Sequence, residues 1–420
     1  MIKKRKIERE VNKKDFFRYI SESQKKKIEK FSKNLEDKKI VHFNATPRGG
    51  GVAELLESLI PYLRSLGVDA EWYSIDSSEV DISFFEITDK LRDALQSNRV
   101  PLSEEEWKKY TSVNKGLGAE LSKIEADLFV IHDWQVLYSG TLIDDTKKIY
   151  INHPDTSDPF EEVWSKVLDM IMDYDLHIFS NPTFIHGDFK GNDRTRVITK
   201  AIDPLKEKQK VVPQSQARDH LKTYGIPEER PLIVQVSRFD PWKNPKGVIE
   251  AFQKIQPEKP QAHLSMVGLQ EAEDNPEAEE VFNEVQKMVE SSDRISLFFD
   301  PQKNGIENIS KFTMYMQNAA DIIIQNSIKE GFGLTISEAL WKKKPVIGGP
   351  ASGVKLQIKD GWNGYIVQNR NELADKIQEL LASDQKRREM GENGRKYVKE
   401  NFLFSRFLKD HLNSYNELIG

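Results

Sequence analysis

The chain has 420 residues, enough for two or three domains, and its 38% hydrophobic and 31% charged composition predicts a soluble globular protein. It has no cysteine, which excludes disulfides, thiolate catalysis, Cys-ligated zinc and iron–sulfur clusters, and fits a reducing compartment such as the cytoplasm. The net charge of −5 is uneven: residues 1–36 carry 13 Lys/Arg against 6 Asp/Glu, and the acidic remainder argues against a large nucleic-acid groove.

Residues 15–35 read as a charged helix with an apolar stripe of Phe16, Ile20, Ile28, Phe31 and Leu35. The head 1–36 is expected as a structural segment on or near the first domain. The stretch before Phe16 has no apolar core, so it is not a secretory signal. No run approaches the ~18 apolar residues that a membrane span needs. A strand over 39–44, the loop TPRGGG, a helix over 52–66 and a strand over 69–75 form a βαβ unit. Strands follow at 128–132, 148–152 and 176–179, with a helix over 160–172. Around 204–230 the chain turns rich in Lys, Gln, Pro and Glu, and reads as a junction. A second alternation begins with a strand at 232–237. Further strands are expected at 262–267, 295–299, 322–325 and 345–347. The helices between and after them fall near 246–255, 277–289, 309–318, 335–341 and 372–382, and the tail 387–419 reads as helical throughout. The pattern predicts two doubly wound α/β domains. Ligands of such sheets bind beyond the carboxyl ends of the strands, in a cleft.

Four constellations fall at such ends. Gly49, Gly50 and Gly51 lie between the first strand and its helix, where backbone N–H groups and the helix dipole suit a phosphate, or where a plain tight turn suffices. Neither GxGxxG nor GxxxxGKS occurs there. Arg238 and Lys243 follow the strand at 232–237. Two fixed cations there suit a diphosphate, the Arg with a bidentate grip, unless Asp240 neutralises one of them. Glu330, Gly331, Phe332, Gly333 and Leu334 precede a helix that carries Glu338. Its amides suit a phosphate or sugar hydroxyls, and the carboxylates suit sugar or ribose hydroxyls. Thr335-x-x-Glu338 is also a capping box, a purely structural device. His132-Asp133 and His153 close two strands of the first domain at equivalent places. With no HxxxH, HExxH or Asp-rich loop, no metal and no resident cofactor is expected to be held by the protein.

The segments GGGVAELL, HDWQ, QVSRFDPWKN and KEGFGLTISEALWKKKPVIG stand in the order found in the large retaining glycosyltransferase family four. Residues 37–420 resemble that family. The spacing Glu330–Glu338 matches its E-x7-E motif, and Arg238 with Lys243 matches its diphosphate-binding pair. The stretch NATPRGGGVAELLESLIPYLRSLGVDAEWY is most similar to members that transfer glucose from a nucleoside diphosphate-glucose to free glucose. The resemblance implies a GT-B-type fold of two Rossmann-like domains facing each other across a cleft. It implies a first domain over 37–205 on the acceptor side, completed by a C-terminal helix over 403–420. A linker over 206–230 and a donor-side domain over 231–402 follow from it too. It implies catalytic roles for Arg238, Lys243, Glu330 and His153, the last beside the donor sugar. Donor contacts fall to Gly49, Gly50, Gly51, Gly331, Phe332, Gly333 and Leu334, with Glu338 on the ribose. Asp133 and His132 fall on the acceptor side. Arg48, Trp134 and residues 156–160 depart from the pattern, all on that side. This leaves another small acceptor open; a phosphorolytic reaction, a non-catalytic sugar-nucleotide sensor and a homodimer are further alternatives.

Overall fold

The computed structural model describes residues 1–47, 51–268, 276–290 and 292–420, with the backbone alone at 276 and 277. It divides into two units, Met1–Lys200 with Ser405–Gly420, and Ala201–Phe404.

The first unit is built on a seven-stranded sheet. Its elements in chain order are β1 (Ile2–Lys4), α1 (Lys13–Phe17), α2 (Glu22–Lys33), β2 (Lys39–Asn44), α3 (Gly51–Ser65), β3 (Asp69–Ile75), α4 (Ile82–Leu95) and α5 (Glu104–Leu121). After these come β4 (Leu128–His132), α6 (Leu137–Thr141), β5 (Lys147–Asn152), α7 (Glu161–Met172), β6 (Leu176–Phe179) and β7 (Thr195–Val197). The sheet order is β1-β3-β2-β4-β5-β6-β7. Only β1 runs antiparallel; the other pairs are parallel. β2 and β4 are buried along nearly their whole length, as strands covered on both faces are; β4 reads as an apolar run up to His132, whereas β2 also buries His42 and Asn44. β3 lies on one side of β2 and β4 on the other, so the winding reverses between β2 and β4. Ligands bind at such a switch point.

The second unit carries α8 (Gln214–Leu221), β8 (Leu232–Val236), α9 (Pro245–Ile255), β9 (His263–Val267), α10 (Pro276–Val289), β10 (Ile295–Phe298), α11 (Ile309–Ala319) and β11 (Ile322–Gln325). Then come α12 (Leu334–Trp341), β12 (Val346–Gly348), α13 (Ser352–Gln357), β13 (Gly364–Ile366), α14 (Arg370–Leu381) and α15 (Asp384–Asn401). Its sheet is parallel throughout, in the order β10-β9-β8-β11-β12-β13, with the reversal between β8 and β11. The last helix, α16 (Phe404–Ile419), returns to the first unit.

Three expectations change. The head is not one helix: β1 pairs with the edge of β3, and α1 and α2 follow it. Residues 206–230 are not a bare linker, because α8 lies there within the second unit and Arg218 pairs with Asp321 at 2.6 Å. The tail is not helical throughout. It breaks between α15 and α16, where Ile202 donates to the Phe402 carbonyl and accepts from the Phe404 N–H, both at 2.9 Å. Among the described residues no helix is long and apolar enough to cross a membrane.

Candidate active site

In the second unit two loops leave the switch point. After β8, the Asp240 carboxylate accepts the Trp242 N–H at 2.8 Å and folds Pro241–Lys243 into a 3₁₀ turn. Gln235 donates to the Lys243 carbonyl at 3.0 Å, tying the turn to its strand. Lys243 Nζ thereby meets Glu330 Oε2 at 2.5 Å, with only 15% and 13% of the two side chains exposed. Arg238 differs. Its guanidinium is 67% exposed and reaches Asp240 at 3.4 Å, so the neutralising role considered for Asp240 falls on Arg238.

Glu330 opens the second loop, after β11. Gly333 takes φ +79°, a left-handed value that glycine adopts without strain, and starts α12. Gly353 allows the start of α13 to press on this loop: a Cβ there would meet the Glu330 carbonyl at 2.6 Å and the Phe332 N at 2.6 Å. Phe332 is buried against Phe402, and the Gly333 carbonyl accepts from Gln357 at 3.2 Å. In the first turn of α12 the Ile336 N–H closes on the Gly333 carbonyl at 3.0 Å, and the amides ahead of it stand at the helix's open N-terminal end.

The capping-box reading of Thr335 and Glu338 is corrected. Gly333 is the N-cap, and Thr335 donates instead to Gln325 at 3.2 Å. Glu338 points inward and is 2% exposed. Its Oε1 accepts from Gln209 at 3.0 Å and pairs with Lys208 at 2.9 Å, and its Oε2 accepts from Gln317 at 3.0 Å. The same two glutamines turn their Oε1 atoms to Lys342 Nζ, at 3.3 and 2.8 Å. Burial pushes the Glu338 carboxyl up, but the charges of Lys208 and Lys342 outweigh it and hold the group well below the usual range. Burial draws Lys342 down against the opposing pull of Glu338. Both oxygens of the expected ribose ligand are thus already engaged.

In the first unit a cavity of about 290 Å³ lies at the β2–β4 switch point, lined among others by Asn44, Gly51, Asp133, Trp134, His153 and Lys200. Gly49 and Gly50 of the expected glycine loop, with Arg48, lie outside the described residues. Gly51 begins α3, and a Cβ there would come within 3.6 Å of Lys200 Nζ. Asp133 sits at φ +65°, a conformation Asp tolerates better than most residues. From there it accepts the His153 N–H at 2.8 Å. Burial raises its carboxyl to about 7, against the lowering effects of that hydrogen bond and of the Lys200 charge. His132 lines the same cavity, is 4% exposed and spends both ring nitrogens on other histidines. Trp134 donates to the Thr88 carbonyl at 2.7 Å, and Thr156 to the Phe184 carbonyl at 2.8 Å. Both departures from the expected pattern are therefore anchored in the fold.

Each unit thus brings its own expected residues together: Lys243 with Glu330 in the second, Asp133 with His153 in the first. Lys200, Lys208, Gln209, Gln317 and Lys342 were not legible in the sequence. Lys200, Lys208, Gln209 and Gln317 stand in no motif, and Lys342 lies inside the segment KEGFGLTISEALWKKKPVIG with no role read for it; only the folded chain carries them to Asp133 or Glu338.

Two doubly wound, mainly parallel units are the architecture of the GT-B fold. The chain superposes with a TM-score of 0.69 and 18% identity on sucrose-phosphate synthase from Thermosynechococcus elongatus, over 91% of this chain and 99% of that one. It superposes on Anabaena HepE in complex with UDP-glucose with a TM-score of 0.66 and 16% identity, over 90% and 100%. Residues 42–186 match the family described as trehalose synthase, N-terminal domain, and residues 216–397 match glycosyl transferases group 1. The chain is 34% identical to the trehalose synthase of Thermococcus litoralis over 96% of each, and 33% identical to that of Rubrobacter xylanophilus over 94% of each. A trehalose phosphorylase of Pleurotus pulmonarius is 26% identical over 88% of this chain and 56% of its own length. The chain belongs to the trehalose synthase family. It is a hexosyltransferase of trehalose metabolism.

Proposed function

We propose that the enzyme transfers glucose, with retention, from UDP-, ADP- or GDP-glucose to free glucose and releases the nucleoside diphosphate and α,α-trehalose. The enclosed Lys243–Glu330 pair beside the amides of Gly331–Leu334 carries this reading. A leaving diphosphate gains negative charge as the C1–O bond breaks, and a preorganised ammonium lowers that barrier. Lys243 exchanges Glu330 for the diphosphate, which frees Glu330 for sugar hydroxyls. Arg238, unburdened by burial, adds a second cation. The acceptor oxygen bonds to C1, and its proton passes to a diphosphate oxygen. Glu338 takes the ribose as Lys208 yields its place on Oε1. The Gly49–Gly51 loop and His153 serve the donor sugar, and Asp133 serves the acceptor.

Incubating the enzyme with each nucleoside diphosphate-glucose and glucose, with the product read by NMR, is expected to give an α,α-linked disaccharide. No disaccharide with any donor refutes the reading. Cleavage of trehalose by inorganic phosphate without nucleotide supports phosphorolysis instead, the activity named for the Pleurotus relative. Lys243→Ala is expected to lose about 10²–10³ in turnover while its circular dichroism stays that of the parent. The reading assigns no metal to the protein, so activity is expected to survive dialysis against EDTA. Loss restored by a divalent cation would overturn that assignment.

A further inference from the structure

Four buried histidines and one tyrosine of the first unit stand in file. His411 Nδ1 lies 3.1 Å from the Tyr415 hydroxyl, which lies 3.3 Å from His42 Nε2. His42 Nδ1 lies 3.0 Å from His132 Nε2, and His132 Nδ1 lies 3.3 Å from His153 Nε2. The His132 and His153 ring planes lie 4° from parallel with their centroids 5.6 Å apart. The file crosses three neighbouring strands. His42 is on β2, His132 ends β4 and His153 follows β5. The register steps them toward the carboxyl ends: His42 pairs with Val130, and His132 with Ile151. His411 and Tyr415, four residues apart, present one face of α16 to the sheet.

We propose that His42, His132, Tyr415 and His411 are positioning residues that fix the ring of His153 and which of its nitrogens carries the proton. This rests on the reading that His153 faces the donor sugar. A neutral imidazole has one N–H and one lone pair. Each contact in the file therefore needs opposite roles on its two sides, and the choice at one end dictates every other. If His411 Nδ1 accepts from Tyr415, the tyrosine oxygen accepts from His42 Nε2. His42 Nδ1 then accepts from His132, and His132 Nδ1 from His153 Nε2. His153 Nδ1 keeps its lone pair. If His411 donates, every role reverses and His153 Nδ1 carries the proton. Burial lowers the basicity of all four histidines, so each ring stays neutral and the rule holds along the whole file. His153 Nδ1, at the cavity end, is buried with no hydrogen-bond partner. A sugar hydroxyl would meet that nitrogen, and the file decides whether it meets a donor or an acceptor.

The test is ¹⁵N NMR of the full chain with labelled histidine, the His153 signals assigned by their loss in His153→Gln. The parent is expected to show His153 as one neutral tautomer. Tyr415→Phe removes the bridging hydroxyl alone and is expected to turn His153 into a mixture of both tautomers. It is also expected to lower kcat about fivefold, the effect of one net hydrogen bond, with the KM for donor unchanged. His411→Leu removes the terminal partner and keeps Tyr415, and is expected to act alike. Signals from His153 that are unchanged in both variants overturn the proposal, as does a tautomer mixture with unaltered turnover. If no donor is turned over at all, the functional reading fails, and the spectra alone still decide the file.

Discussion

Lys342 shows how a buried charge shapes the site. Its ammonium holds the Oε1 atoms of Gln209 and Gln317, and this aims both amide N–H groups at Glu338. Lys342→Ala removes one side of a buried ion network and leaves the rest unpaired. It is expected to cost about 3–5 kcal/mol, measured by urea unfolding. Asp133 offers a test by pH. Burial lifts its carboxyl from 3.8 in the unfolded chain to about 7 in the fold. Between those values the native state holds a proton that the unfolded chain releases, so this group's contribution to stability falls as pH rises through that window. Asp133→Asn keeps an acceptor for the His153 N–H and has no proton to lose. Its melting temperature relative to the parent is expected to climb from pH 4 to pH 7, and a flat difference would refute the raised value.

At the scale of elements, the basic head is built into the first unit. Phe16 of α1 is fully buried and stands 4.9 Å from Tyr62 of α3, edge to face. Arg5, just beyond β1, donates to the Ile75 carbonyl at 2.9 Å, and Lys4 pairs with Glu71 at 2.6 Å. Phe16→Ala is expected to destabilise the protein by about 3–5 kcal/mol. An unchanged denaturation midpoint would return the head to a solvated arm. Of the expected stripe, Phe16, Ile28 and Leu35 are buried and Ile20 and Phe31 half-buried, but they fall on α1, between the two helices, on α2 and beyond it, so the apolar positions were legible and the single helix was not. β1 was not. A three-residue edge strand with two lysines shows no alternation, and it forms only because β3 leaves an unpaired edge. Most of the parallel strands were plain in the sequence, since burial on both faces favours apolar runs, but the three-residue strands β7 and β13 are too short to show such a run. The break between α15 and α16 was hidden. Phe402 and Leu403 are apolar and would continue a helix, but their backbone meets Ile202 instead.

At the scale of the molecule, the last helix belongs to the unit that the chain left two hundred residues earlier. Arg406 donates to the Lys200 carbonyl at 3.1 Å, and Asn416 to the Phe31 carbonyl at 2.9 Å. Removing residues 405–420 is expected to speed hydrogen exchange in β2 and β4 before β8, because only the first unit loses its cover. Equal acceleration in both sheets would refute that. The acidic body is no obstacle to an anionic donor. Lys243 and Arg238 act at short range, and charges beyond about 10 Å are screened. By itself the sequence determined the two doubly wound sheets and the trehalose-synthase-type motifs, which fall just after β8, β11, β4 and β5. Periodicity, loop glycines and motif spacing are local properties, and local properties survive in a linear string. The tertiary structure alone decided that Lys243 contacts Glu330, that Glu338 is enclosed by Lys208, Gln209 and Gln317, and that His411 stands in line with His153. Those meetings join residues up to 258 positions apart. No spacing rule reaches that far, because the partners are chosen by which strands pair and which helix closes over them.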